Sequence, residues 1–331
     1  MKTKTKKIPQ DIIGEIAILK FPNKKTKAQK LKLAKQFLKQ HKSITTILEK
    51  TEKIKGRLRK QKTKFLIGKN TKETIHKENN CQFKLNVDET YFSPRLATQR
   101  KNIAGAIAKK ISRLKPLRAT KYSQRVGKET QNKKFGWALN KHQFTPKILV
   151  MFAGIAPFPI VIAKTLRQKN KKFQIISNEI NRKANKYAKQ NIKLNKLQDY
   201  IKIIPGDVKL LLQKTKTKFD FIIMPRPNLK TTFLKSALKL SKPGTLIYYY
   251  GFGKKQDVLA EIKRDVSGWE NSLASATANK ERSRATKNKS TKLQMRDCRV
   301  GGSLKIGKIR IKKAGEIAPY KFRWLAKFQI K

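Results

Sequence analysis

Apolar positions along this 331-residue chain follow two rhythms, and the change between them near residue 147 divides it. In the first part the runs are short and irregular. Asp11–Phe21 (DIIGEIAILKF) predicts a strand, a break at Gly14 and a second strand. Lys27–Gln40 carries Leu31, Ala34 and Leu38 at helical spacing among lysines, the pattern of an amphipathic helix. Residues 44–90 alternate short β-like runs (ITTIL, KFLIG, ETIH, QFKLNV) with turn residues. Pro94 marks a boundary, and Ile103, Ile107 and Ile111 give a helical stripe behind it. From 147 the pattern alternates β and α. ILVMF predicts a strand and PIVIAKTL a helix; FQIISNE predicts a strand and Asn181–Asn195 a helix. IKIIPGD and FDFIIMP predict strands, LKTTFLKSALKL a helix and TLIYYYGF a strand, and the last 27 residues alternate again as closing strands.

Alternating β and α segments of this length predict an α/β fold with a doubly wound, Rossmann-like parallel sheet. Ligands of such a sheet bind at the carboxyl ends of its strands. The expected organisation is a basic tail over 1–8, a small α+β domain over 9–90 and the larger sheet domain over 91–331. Two polar, basic stretches, 115–140 and 267–297, lack a clear period and read as flexible insertions.

Charge adds a partner to this picture. Lysine and arginine exceed acids by enough to give a net charge of +62. Part of the excess is lysine at ordinary solvated positions, yet such a surface concentrates polyanions, above all nucleic acid. Cys81 and Cys298 are too few for a disulfide scaffold and fit a reducing compartment. His41, His76 and His142 have no metal-ligand spacing, so no metal is expected. The basic MKTKTKK start is followed by no apolar signal region, and no apolar run is long enough to span a bilayer. The expectation is a cytoplasmic protein, monomeric and away from membranes.

Four loop ends fall at the carboxyl edge of the predicted sheet. In Ile148–Lys164 the apolar run breaks at Ala153–Gly154, with Phe152 beside them, and restarts at Pro157. That strand–loop–helix turn brings backbone N–H groups towards a ligand, although one glycine falls short of a dinucleotide fingerprint. Glu179 ends the second strand, where a carboxylate can accept ribose hydroxyls; a solvated loop acid is the alternative, and Asn181 follows it. Asp207, after the third strand, is placed for an adenine edge or for a helix N-cap. MPRP, Met224–Pro227, stiffens the loop after the fourth strand against whatever enters, or is an ordinary rigid turn. One glycine and two acids suit S-adenosylmethionine better than NAD.

DIIGEIAILK, ETIHKENNCQFKLNV, YFSPRLATQR, MFAGIAPF, SNEINRKANKYAKQNIKLN, PGD, LIYYYGF and AGEIAPYKFR occur in an order that resembles the archaeal and eukaryotic tRNA guanine-37 N1-methyltransferase family. That family shares its class I methyltransferase scaffold with the wybutosine aminocarboxypropyl transferases. The resemblance covers roughly 9–110, 147–255 and 305–331, and the YFSPRL run favours the methyltransferase branch. It implies methyl transfer from S-adenosylmethionine to N1 of the guanine 3′ of the anticodon, with the anticodon stem-loop of tRNA as partner. Residues 9–90 would then position RNA. The arginine that meets guanine O6 corresponds by spacing to Arg59; a solvated arginine is the alternative reading. Tyr91 and Arg95 would shape the base pocket, with Tyr91 as a stacking platform, and Arg100 would hold cofactor or phosphate.

The chain departs from the family at several positions. Gln99 stands where the family has its glutamate general base, and an amide takes no proton at neutral pH. Pro225-Arg226-Pro227 replaces Asn-Leu-Pro, keeping only Pro227 on the base side, with Pro225 expected against the cofactor. Val150 replaces an acid and Ala156 a second glycine. Only a few basic residues precede DIIGEIAILK, where family members carry a module that checks the tRNA's outer corner. Three explanations remain open. Gln99 orients guanine while water or an acid such as Glu89 takes the proton; or the target is a different base atom that needs no deprotonation there, as in methyl or aminocarboxypropyl transfer to a wyosine precursor at the same position; or the chain binds tRNA with weakened or lost activity.

Overall fold

The structure is a computed structural model that describes residues 8–22, 24–52, 56–113, 145–287, 305–318 and 320–331. The expected insertion over 115–140 lies outside the described residues. The first unit is a four-stranded sheet of β1 (Gln10–Ile13), β2 (Ile16–Leu19), β3 (Thr46–Lys50) and β4 (Thr63–Gly68), in that order. β1 and β2 form a hairpin turned at Gly14, whose φ of 57° suits a residue without Cβ. α1 (Lys27–Gln40) carries the chain across to β3, which runs parallel to β2. Thr26 opens α1 with a capping box: its side chain accepts from Gln29 N, and Gln29 reaches back to Thr26 N.

A separate hairpin, β5 (Glu73–Glu78) and β6 (Cys81–Asn86), leads to α2 (Ala97–Arg113). The main sheet follows. Its elements are β7 (Lys147–Met151), α3 (Pro157–Gln168), β8 (Gln174–Glu179), α4 (Arg182–Leu194), β9 (Ile201–Pro205), α5 (Leu211–Lys214) and β10 (Phe219–Met224). It is completed by α6 (Leu234–Lys239), β11 (Ser241–Gly253), α7 (Lys255–Lys287), β12 (Arg310–Ala318) and β13 (Lys321–Gln329). The strand order is β12-β13-β11-β10-β7-β8-β9. The five strands from β11 to β9 are parallel, whereas β13 runs antiparallel to β11 and to β12. Strand order reverses between β7 and β10, the place where a doubly wound sheet opens a crevice.

β7 sits at the centre and is apolar on both faces. Ile148 and Val150 pack with residues of α2, α3 and α4, while Leu149 and Met151 pack with residues of α6 and α7. Two-sided burial explains why ILVM is a continuous apolar run rather than an alternating one. Val150, where the resembling family has an acid, is fully buried in the first of these layers, so its side chain serves packing.

The β5–β6 hairpin is held against the main sheet by two asparagines one helical turn apart. Asn191 on α4 accepts from Lys84 N (2.7 Å) and donates to Lys84 O (3.0 Å). Asn195, just beyond α4, does the same with Gln82 N (3.0 Å) and O (2.7 Å). The outer edge of β6 is thus paired by side-chain amides, which satisfies backbone groups that an edge strand leaves open.

One expectation is corrected. Residues 267–287, read from the sequence as the start of a flexible insertion, continue α7 as helix; 288–297 lie outside the described residues. Val258, Ile262, Val266 and Trp269 form a buried stripe at helical spacing that starts the helix against the sheet. Beyond it the sequence is rich in Ala, Lys, Arg and Glu, which lose little freedom in a helix.

Candidate active site

Where β7, β8, β9 and β10 end, the chain forms a narrow cleft lined by Phe152, Glu179, Asp207, Pro227, Phe233 and Arg57, among others. The turn after β7 builds one wall. Phe152, Gly154 and Ala156 all have positive φ (56°, 58° and 68°), so the chain winds through the left-handed region at alternate residues before α3 begins at Pro157. Ala153 N donates to Asn178 O (2.9 Å) and ties the turn to β8. The Phe152 ring meets Phe233 edge-on at 5.1 Å. Ala156 occupies a conformation that glycine adopts at less cost, at the position where the resembling family has glycine.

Glu179 is half-buried. One carboxylate oxygen accepts from Gly154 N and the other from Asn181 N, both at 2.8 Å. Burial pushes its pKa above the usual carboxylate range, and hydrogen bonds from the Asn181, Gly154 and Ile180 backbones pull the other way. An ionised carboxylate offers about four acceptor sites. The carboxylate therefore keeps acceptor capacity on the side that lines the cleft. Asn181 caps α4, accepting from Lys183 N (3.0 Å), and donates to Glu89 O (2.9 Å).

Asp207 takes the capping role the sequence offers and also stands in the cleft lining. It caps the short 3-10 turn after β9, accepting from Lys209 N (2.9 Å). Its carboxylate also pairs with Arg57, which reaches across from the connection between β3 and β4. Burial works against ionisation of Asp207, but the Lys209 backbone donor and the Arg57 charge hold its pKa below the ordinary value. Arg57 and Asn178 were not singled out in the sequence. Asn178 stands directly before Glu179 and donates to Ile204 O (2.8 Å) and Gly206 O (3.1 Å), fixing the β9 end of the cleft. Arg57 lies two residues from Arg59 in the same GRLR run.

Arg59 has a positive φ of 54°, and its guanidinium lies 5.6 Å from the centre of the Tyr91 ring, a cation–π arrangement. The backbone carbonyl of Tyr91 lies close to Gly154, 3.4 Å from where a Cβ would stand. Tyr91 thus joins Arg59 to the turn that follows β7. Arg95 is exposed and pairs with Asp11 at 2.6 Å. Arg100 is employed elsewhere than at a cofactor. It is buried, its Nε and one terminal nitrogen each donate to Glu78 at 2.5 Å, and it also donates to Ser93 O (3.0 Å). Such a two-point clamp joins α2 to β5 and uses the side chain's fork. Gln99 has its Oε1 buried with no donor among the described residues.

The loop after β10 owes its shape to Arg226. This buried arginine donates to the carbonyls of Tyr250 (3.0 Å), Leu229 (3.0 Å) and Thr231 (3.3 Å) and to both oxygens of Glu261 on α7 (3.0 Å each). Pro227 is thereby placed on the cleft wall. Pro225 is half-buried and is not among the residues lining the cleft. Glu89 faces a different groove, with Glu73, Lys183 and Tyr187, and pairs with Lys183 at 3.1 Å. No group of three or more His, Cys, Asp or Glu residues suitable for a metal occurs among the described residues. No helix among them is long and apolar enough to cross a membrane.

A cleft with an aromatic wall, a half-buried carboxylate with spare acceptor capacity and a second acid in its lining fits a nucleoside-bearing cofactor such as S-adenosylmethionine. Comparisons with known proteins point the same way. Residues 120–271 match the model of the TRM5/TYW2 methyltransferase domain. The chain is 33% identical over 247 residues to the tRNA (guanine(37)-N(1))-methyltransferase Trm5b of Pyrococcus abyssi, covering 75% of this chain and 61% of that protein. It is 38% identical over 187 residues to the tRNA (guanine(37)-N(1))/4-demethylwyosine(37)-methyltransferase Taw22 of Nanoarchaeum equitans, covering 56% and 48%. The chain thus spans about half to three-fifths of the length of these curated relatives. The crystal structure of Trm5b from Pyrococcus abyssi superposes with a TM-score of 0.67 at 26% identity, over 98% of this chain and 75% of that one. The complex of aTrm5 with tRNALeu superposes at 0.66 and 22% identity, over 98% and 72%, which speaks to fold alone. The fold is that of a class I methyltransferase.

Proposed function

We propose that the chain is a member of the TRM5/TYW2 methyltransferase family, whose domain model matches residues 120–271, and that it methylates N1 of guanine 37 in tRNA, using S-adenosylmethionine. The observation that carries this reading is the cleft at the strand ends, where Phe152, Glu179, Asp207 and Pro227 converge. When bound, the cofactor supplies an electrophilic methyl group on a sulfonium. Glu179 would accept from the ribose hydroxyls, Asp207 would face the adenine edge, and the Phe152–Gly154 turn, anchored by Gly154 N on Glu179, would hold the methionine side.

On the RNA side, residues 9–90 would position the anticodon stem-loop. Arg59 would meet the negative charge that builds on guanine O6 as N1 attacks, and Tyr91, beneath its guanidinium, would offer a face for the flipped base. Arg95, exposed beside Asp11, would border the pocket, and Pro227 would limit it from the opposite wall. Gln99 would accept a hydrogen bond from the guanine through its bare Oε1, while the N1 proton leaves to water. Glu89 is set aside as proton acceptor because it faces the other groove and is paired to Lys183. The reading requires one copy of the chain, no metal, and a cytoplasmic setting where tRNA is available.

A second reading, methylation of 4-demethylwyosine at position 37, is favoured by the neutral Gln99, since that substrate presents no guanine N1 proton to remove, and by the printed name of the Nanoarchaeum relative. Both readings are tested by incubating the protein with labelled S-adenosylmethionine and a transcript bearing guanine 37, and separately with tRNA carrying the wyosine precursor. Mass spectrometry of the digested RNA should show N1-methylguanine. Label in the precursor alone would select the second reading, and no label in either RNA would overturn both.

A further inference from the structure

On the outer edge of the main sheet, β12 and β13 place Arg310 directly opposite Lys327, with Lys312 two residues along the same strand. Lys110, near the end of α2, adds a fourth cation to the group that surrounds Lys327. These residues come from three separate elements, and no ion pair engages any of them among the described residues. Lys327 is half-buried, and its ammonium lies 5.5 Å from the centre of the Tyr248 ring. The Tyr248 hydroxyl beside it is buried without a hydrogen-bond partner.

Most of the lysines in this chain are solvated and cost the fold little. This group differs, because like charges directly opposite on neighbouring strands are destabilising. Burial lowers the pKa of Lys327, and the charges of Arg310, Lys110 and Lys312 lower it further. A group that costs stability and lacks a counter-ion is a candidate for ligand binding. Arg310 and Lys312 are exposed, and β12 is the edge strand, so the group is open to a large anion. From β12 to the crevice between β10 and β7 is three to four strand spacings, about 14–19 Å.

We propose that Lys110, Arg310, Lys312 and Lys327 form a phosphate-backbone contact for the RNA whose base enters the cleft, a second footing at the far edge of the sheet. This rests on the proposed tRNA substrate. Phosphate contacts fix register and orientation without reading sequence. A footing here would orient the stem while the cleft deals with the base.

The test compares two variants of the full chain. One neutralises the group (Arg310→Gln, Lys312→Gln, Lys327→Gln); the other removes three exposed lysines at the amino-terminal side of the sheet, outside the RNA-positioning segment (Lys169→Gln, Lys172→Gln, Lys193→Gln), and matches its change in net charge. tRNA affinity is measured from low to moderate salt, together with S-adenosylmethionine affinity and the melting temperature. For the group variant the slope of log K against log salt should shrink by about one for each phosphate no longer neutralised, with a weakening of at least about tenfold at low salt. Its cofactor affinity should be unchanged and its melting temperature equal or higher, because repulsion has been removed. The control variant should show a markedly smaller change in slope. Equal slopes for the two variants would overturn the proposal, as would loss of binding to anionic vesicles with tRNA binding intact. If the wild type transfers no methyl yet shows the group-dependent slope, the catalytic reading fails and this one stands. If it methylates with a slope indifferent to the group, only this inference fails.

Discussion

At the scale of single residues, the site turns on two side chains whose sequence neighbourhoods say little about their electrostatics. Glu179 was legible as an acid at a strand end, but its two backbone donors were not, because they come from Gly154, 25 positions earlier, and from the turn that follows. Glu179→Gln removes the charge while keeping the shape. Hydrogen bonds to a charged group are worth about 1.5–3 kcal/mol, so cofactor affinity should fall by roughly 10- to 100-fold, as read by calorimetry. Burial raises the Glu179 pKa, and hydroxyl donors favour its ionised form. Cofactor binding should therefore release a proton and weaken as pH falls through the raised pKa; affinity that is flat across the acid range would contradict the assigned role. Gln99 is the complementary case. Its identity is readable from the YFSPRLATQR run, whereas its bare, buried Oε1 is a fact of packing. If loss of the guanine N1 proton is slow, Gln99→Glu should raise the single-turnover rate on a guanine-37 transcript by about 10²-fold, the lower range of general-base effects. A rate that stays level would assign Gln99 to orientation alone.

At the scale of elements, the loops at the strand ends carry their own strain and scaffolding. The break in Ile148–Lys164 was legible because Gly154 and Pro157 punctuate an apolar run. The winding itself was not, since Phe152 and Ala156 are residues that seldom take positive φ. Ala156→Gly should relieve a left-handed alanine at about 1–2 kcal/mol, offset by about 0.5–1 kcal/mol of chain entropy. The expected net is a small gain of about 0.5–1 kcal/mol in a denaturant titration, and a clear loss would mean that the buried methyl packs better than it strains. The MPRP loop reads in sequence as two stiffening prolines, yet the residue between them does most of the organising. Arg226→Ala would strand Glu261 and three carbonyls in a buried setting, and about 3–5 kcal/mol of stability should disappear. Helix α7 was not legible in the sequence, and its part beyond residue 266 reads there as an insertion. After Leu273 the sequence turns to small and polar residues, so periodicity gives out while helix propensity persists.

At the scale of the whole molecule, charge sets stability and function against each other. The alternation of β and α, the apolar strand at Ile148 and a site at the strands' carboxyl ends were legible because burial on two faces writes itself into composition, whereas the spatial order of the strands was not. Pairings between distant segments were not, among them Arg57 with Asp207 and the Asn191–Asn195 pair on β6, because each partner is an ordinary polar residue in its own neighbourhood. A net charge of +62 adds a term no local pattern contains: the folded chain repels itself, and the unfolded chain relieves that repulsion by expanding. Salt screens such repulsion, with a Debye length falling from about 10 Å at 0.1 M to about 3 Å at 1 M. Melting temperature should therefore rise as salt increases from about 0.05 to about 0.5 M. RNA affinity should fall steeply over the same interval, because released counterions are then less favoured. Lys50 and Lys327 sharpen the argument, since burial lowers the pKa of each below 10.5. The unfolded chain keeps their protons to higher pH, so the stability they cost at neutral pH is recovered as pH rises through their folded values. Lys327 faces Arg310, Lys312 and Lys110, and Lys327→Met should raise the melting temperature at pH 7 by an amount that shrinks towards pH 10.5. An advantage that is independent of pH would trace to packing, and the cation group would then lose its claim to be a destabilised site.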